Sequence, residues 1–402
     1  MADEPISWAA MAVTADALRA ELEDVVRELA SFERPSASDG ERRAAEWIAR
    51  RLSAHGCAAR VEQERAHGTY WWPMGVLCAL AGAGGLTGRR AHALAAGAFA
   101  AVAIADDITG GRQWFRRRLL PSRPTWNVVA ETGDHDAERT VVVVAHHDAA
   151  HTSVLFSPAP SAFVGEHLPA LLERTDTTPP LMWPVIGGPL LVAAGALLGA
   201  RALRTAGTVL ALACAATFAE IGARPVVPGA NDNLSGVAAL AGLALRMAQA
   251  PVAGVRVLLV STGSEESFME GMQAFARRHF ADLPTDRTHV ICIDTVGSPE
   301  LVMLEGEGML RMHDYPEAFR EAVAQCARRA GVHVRRGLRF RNATDALIAR
   351  RAGYPTVMLG SVNRYKLPDN YHWPTDVPEN VDFSTTADAV ALCHEVVRTL
   401  AA

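Results

Sequence analysis

Cysteine is sparse and scattered in this chain of 402 residues: Cys57, Cys78, Cys214, Cys292, Cys326 and Cys393 form no C-x-x-C pair and no small-domain spacing. Neither a disulfide framework nor a zinc ribbon is expected from such a pattern. Cys78 and Cys214 lie in very apolar runs, where a cysteine acts as a small hydrophobe. Lysine is almost missing. Lys366 stands alone among the arginines, and with abundant alanine this reads as coding bias without functional weight. Charge is low as well: 21% of residues are charged and the net charge is −5, which gives no electrostatic case for nucleic acid. Half the residues are apolar, so a mainly disordered chain is excluded. The N-terminus lacks the basic start and unbroken apolar core of a secretory signal. Instead Leu18, Leu22, Val25, Val26 and Leu29 recur at helical spacing and predict an amphipathic helix on the body of the protein.

What is present has two characters. One is an alternation of strands and helices. Cys57–Gln63, Trp126–Glu131, Thr140–Ala145, Val255–Ser261 and His289–Ile293 read as strands, and TVVVVA at 140–145 has the β-branched continuity of a strand buried on both faces. Helical patterns at 41–55, 235–248, 268–278, 316–330 and 385–400 fall around them. This predicts an α/β fold with a mostly parallel, doubly wound sheet flanked by helices.

The other character is apolar. Residues 68–105 and 177–219 each hold an uncharged run, an arginine pair (Arg89 and Arg90, Arg201 and Arg204) and a second apolar run. Each predicts an inserted helical hairpin with a basic tip, splitting the α/β domain into 1–66, 107–176 and 220–402. Roughly 20 apolar residues cross a bilayer core. The first arms meet that figure, whereas the return arms, Ala93–Ala105 and Thr205–Ala219, hold 13 and 15 residues and fall short. Membrane embedding is the leading expectation, with Trp71, Trp72 and Trp183 as interfacial anchors. The other reading is a hairpin buried on the domain or against a second copy in a homodimer. Four spans return the chain to its starting side, which favours the cytoplasmic face of the plasma membrane for the α/β parts. The outward arginine tips oppose this, and Arg116, Arg117 and Arg118 partly offset them.

Chemistry-bearing residues gather at predicted strand ends, where open parallel sheets place their functional groups. His146-His147-Asp148 follows TVVVVA, and Ser264-Glu265-Glu266 follows VRVLLVS. Asp294 ends HVICI, Pro228-Gly-Ala-Asn-Asp-Asn-Leu-Ser-Gly236 opens a helix, and Tyr371-His372-Trp373-Pro374-Thr375-Asp376 lies near the C-terminal helix. Singly each has a plain structural reading as a turn, an N-cap or a helix-dipole partner. Jointly they do not.

In this order the motifs resemble the M28 family of zinc aminopeptidases and carboxypeptidases, over roughly residues 35–66, 121–153 and 226–402. The resemblance implies two zinc ions: one held by His146 and Asp294, one by Glu266 and His372, with Asp232 bridging them. Imidazole and carboxylate are suitable ligands, and a shared carboxylate screens two dications from each other. Glu265 would be the general base, taking a proton from the bridging water and giving it to the leaving amine. Asp148 would fix the His146 tautomer.

Some positions depart from the family. Thr344-Asp345-Ala346 stands where many members have Ser-Asp-His, which puts borrowed specificity in doubt. His147, Asp345, Arg364 and Tyr371 are weaker substrate-side candidates, Arg364 and Lys366 having the alternative of plain solvated loop charges. The second hairpin lies between His146 and Asp232, so it should leave the fold near the mouth of the site. A membrane-associated exopeptidase acting on peptides, most simply an aminopeptidase, is the expected function. The competing functions are a single-zinc glutaminyl cyclase on the same scaffold and a non-catalytic membrane scaffold.

Overall fold

Capping hydroxyls open the first two helices. In the computed structural model, which describes residues 14–401, α1 (Ala15–Ala30) starts at Thr14, whose side chain accepts the Ala17 N–H. Ser38 does the same for α2 (Asp39–Ala54) by accepting the Glu41 N–H. Each hydroxyl satisfies an N–H that the helix itself leaves unpaired. Leu18, Leu22, Val25, Val26 and Leu29 are all buried, as their spacing predicts. The expectation of no secretory signal rests largely on residues outside the described ones.

The chain then runs through β1 (Ala58–Ala66), α3 (Trp71–Leu86), α4 (Arg90–Ile108), α5 (Trp114–Leu119), β2 (Arg123–Gly133) and β3 (Thr140–His146). Two short helices, α6 (Ala159–His167) and α7 (Pro169–Arg174), precede α8 (Met182–Leu198) and α9 (Arg201–Ala223). Next come α10 (Ser235–Gln249), β4 (Arg256–Thr262), α11 (Glu270–His279), β5 (Thr288–Ile293) and β6 (Glu300–Met303). Three two-residue strands, β7 (Gly306–Glu307), β8 (His313–Asp314) and β9 (Arg339–Phe340), form a small sheet with α12 (Glu317–Ala330) threaded among them. The chain closes with α13 (Asp345–Arg351), β10 (Thr356–Val362) and α14 (Phe383–Ala401).

The main sheet has seven strands in the order β1-β2-β4-β3-β5-β10-β6. Its four central strands, β4, β3, β5 and β10, are parallel. The outer pairings, β1 with β2, β2 with β4, and β10 with β6, are antiparallel. The α/β expectation therefore holds, with parallel pairing confined to the centre. The strand β10 is new relative to the sequence reading. Its run begins directly behind Tyr354-Pro355 and includes Gly360, which blunts the β-branched signal. Residues of β3 alternate between two cores: Val141 and Val143 pack with α1, α2, α10, α12 and α14, and Val142 and Val144 pack toward α3, α4, α11 and α13.

The apolar hairpins form as helices, but the lengths are the reverse of those expected. The first arms α3 and α8 hold 16 and 17 residues, and the return arms α4 and α9 hold 19 and 23. Arg90 and Arg201 are the first residues of the return helices, and Asp106, Asp107 and Glu220 lie within their last turns, so counting only uncharged residues shortened them. By length and composition α4 and α9 could cross a membrane, with mean hydropathy 1.4 and 1.6. The four helices pack on one another at close range. A Cβ on Gly97 would lie 2.7 Å from the Pro189 carbonyl oxygen, and one on Gly207 2.5 Å from Val192 N. Small residues at such crossings let backbones approach.

Glu21 on α1 ties the first two helices together. Its carboxylate lies 2.6 Å from Arg51 and 2.9 Å from His55. Burial raises its pKa, but the His55 and Arg51 contacts outweigh that and lower it from 4.5 to about 2. A carboxylate with a depressed folded pKa stabilises above its unfolded pKa, and the contribution is lost as pH falls through the folded value. Glu21→Gln should therefore flatten the loss of stability between pH 4.5 and 2, measured by urea unfolding across that range. An unchanged slope would show that Glu21 is not the group responsible.

Candidate active site

Three adjacent parallel strands deliver acids and an imidazole to one edge. His146 is the last residue of β3, Glu265 and Glu266 follow β4 by three and four residues, and Asp294 follows β5 directly. Parallel pairing forces the carboxyl ends of β4, β3 and β5 to the same side, so separation in sequence becomes proximity in space. Asp232 comes from the irregular turn at 230–234 that opens α10, where its peptide bond to Asn233 is cis, and His372 comes from the loop between β10 and α14.

The Asp232 carboxylate lies between the two imidazoles. Its Oδ1 is 3.2 Å from His146 Nε2, and its Oδ2 is 3.2 Å from His372 Nε2. His146 Nε2 is also 4.0 Å from Asp294 Oδ1 and 3.9 Å from Glu265 Oε2. His372 Nε2 is 3.2 Å from Glu266 Oε1. Two donor sets thus share one carboxylate: His146 with Asp294, and His372 with Glu266. Asp232 Oδ2 and Glu266 Oε1 are buried without a hydrogen bond, although both converge on His372. Ligand atoms of His146, Asp232 and Glu266 also fall within 4.8 Å of one another. Nitrogen and oxygen donors converging without hydrogen-bonding partners fit a divalent cation of zinc type.

The electrostatics agree. Burial raises Glu265 and Asp294 well above the carboxylate range; His146 opposes this, and neighbouring acids reinforce it. For His372 burial acts downward, but Glu266 and Asp232 outweigh it and bring it to about 10. His146 is likewise held well above its ordinary value by Asp148 and Asp232 against the effect of burial. Buried acids outnumber buried cations here, so protons take the place that a dication would fill.

A shell of backbone donors holds these groups. Asp148 accepts the N–H of Glu265 at 3.0 Å, that of Glu266 at 3.1 Å, and the Ser36 hydroxyl at 2.6 Å. Its Oδ1 lies 3.4 Å from His146 Nδ1, while its own carbonyl oxygen is closer, at 3.2 Å. The aspartate therefore positions the glutamate pair as much as the histidine. Asp376 accepts the N–H groups of Asn231 and Asp232 at 2.6 and 3.1 Å, and Asn233 Oδ1 accepts those of Gly236 and Thr295. Arg34 is fully buried and donates to the carbonyls of His147, Pro228 and Gly229.

Arg34 and Glu41 carry no sequence signal, because one sits in the short loop between α1 and α2 and the other in the first turn of α2, and their distant partners meet them only in the fold. Asp376 was visible as the last residue of the Tyr371–Asp376 motif, but its role was not.

The weaker substrate candidates separate. Tyr371 lines the cleft around the two histidines, stacked on His372 at 3.9 Å between ring centres. His147 is wholly buried with Nδ1 2.9 Å from Ser261 Oγ and does not line that cleft. Asp345 is also buried and turns to the Thr262 hydroxyl. Arg364 is exposed, 3.4 Å from Glu166, and Lys366 donates to the carbonyls of Leu172, Glu173 and Thr175. Phe156, not expected from the sequence, packs its ring 4.6 Å from His372. An adjoining cavity of about 100 Å³ extends from Glu265, Glu266 and His372 to Tyr70, Leu181 and Met182. It reaches the starts of both apolar hairpins.

Glu41 shows how tightly the glutamate loop is held. Its two oxygens accept the N–H groups of Ala37, Trp126 and Ser264 and the hydroxyls of Thr125 and Ser264, at 2.6–3.0 Å. Glu41→Gln would turn an amide NH₂ toward these donors. It should cost about 2–4 kcal/mol of stability by urea unfolding, and a loss below that range would show that the loop is held by other contacts.

The profile of peptidase family M28 matches residues 216–397. No curated protein matches the chain. Among solved structures the fold is similar to BSAP, a zinc aminopeptidase from Bacillus subtilis, at 12% identity over 95% of each chain with TM-score 0.56. It is also similar to an aminopeptidase from Aneurinibacillus sp. strain AM-1, at 12% identity over 94% of this chain and 93% of that one, TM-score 0.53. Tannerella forsythia glutaminyl cyclase compares at 15% identity over 96% and 99%, TM-score 0.56. At such identities these likenesses speak for the fold alone. The part of the chain that matches peptidase family M28, residues 216–397, holds Asp232, Glu265, Glu266, Asp294 and His372.

Proposed function

We propose that the chain is a membrane-associated dinuclear zinc exopeptidase, an aminopeptidase, with Glu265 as its general base. The observation that carries this reading is Asp232, whose two oxygens each lie 3.2 Å from a different imidazole. His146 and Asp294 would hold one ion, Glu266 and His372 the other, with Asp232 shared. Bound zinc polarises a scissile carbonyl and makes a nearby water acidic enough to lose a proton near neutral pH.

The chain's own residues do the rest. The Glu265 side chain lines the cleft without a hydrogen bond to other described residues, while its backbone N–H is fixed by Asp148. It is placed to accept a proton and return it to the leaving amine. The cleft is lined by acids and by no Lys or Arg, which suits a free amino terminus better than a carboxylate. Arg341 lines the adjoining cavity, but its guanidinium lies over the Trp183 ring.

Residues 68–105 and 177–219 are insertions in this reading, and their helices lie in the plasma membrane, with the α/β parts on the cytoplasmic face. The lengths of α4 and α9 support it, as do the exposed Leu86, Val102, Leu197, Leu198 and Val209, each more than 60% accessible. Packing on a second copy is the competing account of that surface. Membranes from cells expressing the full chain should keep it through an alkaline carbonate wash. Release into the supernatant as a dimer would overturn the embedding.

Metal content per chain tests the centre. The wild type should hold two zinc ions, and both Asp232→Asn and His372→Ala should hold fewer. Glu265→Gln should keep the metal but lose roughly 10²–10⁴ in kcat on short peptides. One ion per chain, with cyclisation of N-terminal glutamine in place of peptide cleavage, would instead establish the cyclase reaction.

A further inference from the structure

A second polar cavity, of about 310 Å³, opens at the foot of the first apolar hairpin, away from the cleft described above. Arg65 reaches it from the end of β1, Arg117 from α5 and Arg277 from α11. Among the described residues none of these three guanidiniums makes an ion pair or a side-chain hydrogen bond.

One acid, Glu270, also lines the cavity, but both of its oxygens are already engaged. Its Oε1 is 2.7 Å from His67 Nδ1, and its Oε2 accepts the N–H groups of His67 and Gly68 and the Ser267 hydroxyl. Arg116 adds its charge at 3.8 Å. The arginines therefore leave uncompensated positive charge. The surrounding protein and then the charge of Arg117 lower the Arg277 pKa, outweighing Glu64 and Glu270, which raise it. Ser122 and Gln273 supply neutral hydrogen-bonding groups on the same walls.

The setting narrows the ligand. α4 ends at Ile108, and α5 turns across its end carrying Trp114 and Phe115, whose rings pack 5.4 and 5.9 Å from Phe99 of α4. Leu119 and Arg118 of α5 are exposed beside them. Aromatic rings, an exposed leucine and arginines at the end of an apolar helix are the composition of a membrane–water boundary.

We propose that this cavity binds the phosphate of an anionic membrane phospholipid, with the acyl chains lying along the apolar surface of α4 and α5. Guanidinium forks match phosphate oxygens in geometry and charge, and basic pockets beside membrane helices hold lipid headgroups. Inorganic phosphate offers the same oxygens without the apolar contact, so it should bind more weakly. The inference rests on the membrane placement of α4 proposed above but not on the peptidase chemistry, because no residue that lines this cavity also lines the cleft.

Isothermal titration of the full chain in a neutral detergent tests it, with dihexanoyl phosphatidylglycerol, the matching phosphatidylcholine and inorganic phosphate as probes. Phosphatidylglycerol should bind at least about tenfold more tightly than either other probe, and R117A/R277A should weaken it by about tenfold or more. Arg311→Ala, a guanidinium outside the cavity, should leave it unchanged. Thermal unfolding of each variant separates lost binding from lost folding, and R65Q alone serves if the double variant is unstable. Equal phosphatidylglycerol binding in a folded R117A/R277A would overturn the site. Inorganic phosphate binding as tightly as the lipid would overturn the lipid assignment, and no phosphatidylglycerol binding by the wild type would overturn both.

Discussion

Four buried carboxylates, Asp148, Asp232, Glu265 and Asp294, and the partly buried Glu266 crowd one edge of a parallel sheet, with Asp345 and Asp376 close behind. Two like charges 4 Å apart repel by about 4 kcal/mol at an effective dielectric near 20. The structure answers this repulsion with directed donors. Asp148 and Asp376 each take two backbone N–H groups, Arg34 lies fully buried behind them, and the two imidazoles share Asp232. Each donor comes from a loop or turn whose path the sheet dictates, so the loops at this edge are constrained by the charges they carry. A divalent cation suits such a site because it cancels charge that protons otherwise must.

The apolar helices are joined to this edge by packing and hydrogen bonds. Tyr70, just before α3, stacks on Phe268 at 5.3 Å and meets Phe218 of α9 at 6.1 Å. Trp71 packs 4.5 Å from His151, five residues beyond His146. Arg116 of α5 is buried against Asp107 and donates to the Ser267 and Thr69 carbonyls. The segment 264–270, which carries both glutamates, is thus gripped from the side of the hairpins, and the cavity that runs from the glutamates to Met182 follows the same seam.

Much of this was legible in the chain because it is local. The helical spacing of Leu18 to Leu29 and the buried character of TVVVVA follow from short periods and residue type. The strand-end positions of His146, Glu265, Glu266 and Asp294 were readable for the same reason, since each directly follows an apolar run or lies within a few residues of its end. The helix lengths of the hairpins were misjudged because a charged residue at a helix end costs little, so a count of uncharged residues stops too early.

Only the tertiary structure decided which neutral-looking residues hold the site and which charged ones do not. Nothing local marks Arg34 or Glu41 as buried anchors or Phe156 as a wall beside His372, and nothing local turns His147 and Asp345 away from the cleft. The partners that fix them lie from 83 to 223 residues away in sequence, as for Asp345 and Thr262, or Glu41 and Ser264. Composition and spacing determined which chemistry this chain can carry, because donor types and strand ends are properties of short segments. Burial and contact direction belong to the packed sheet, and they decided how that chemistry is arranged.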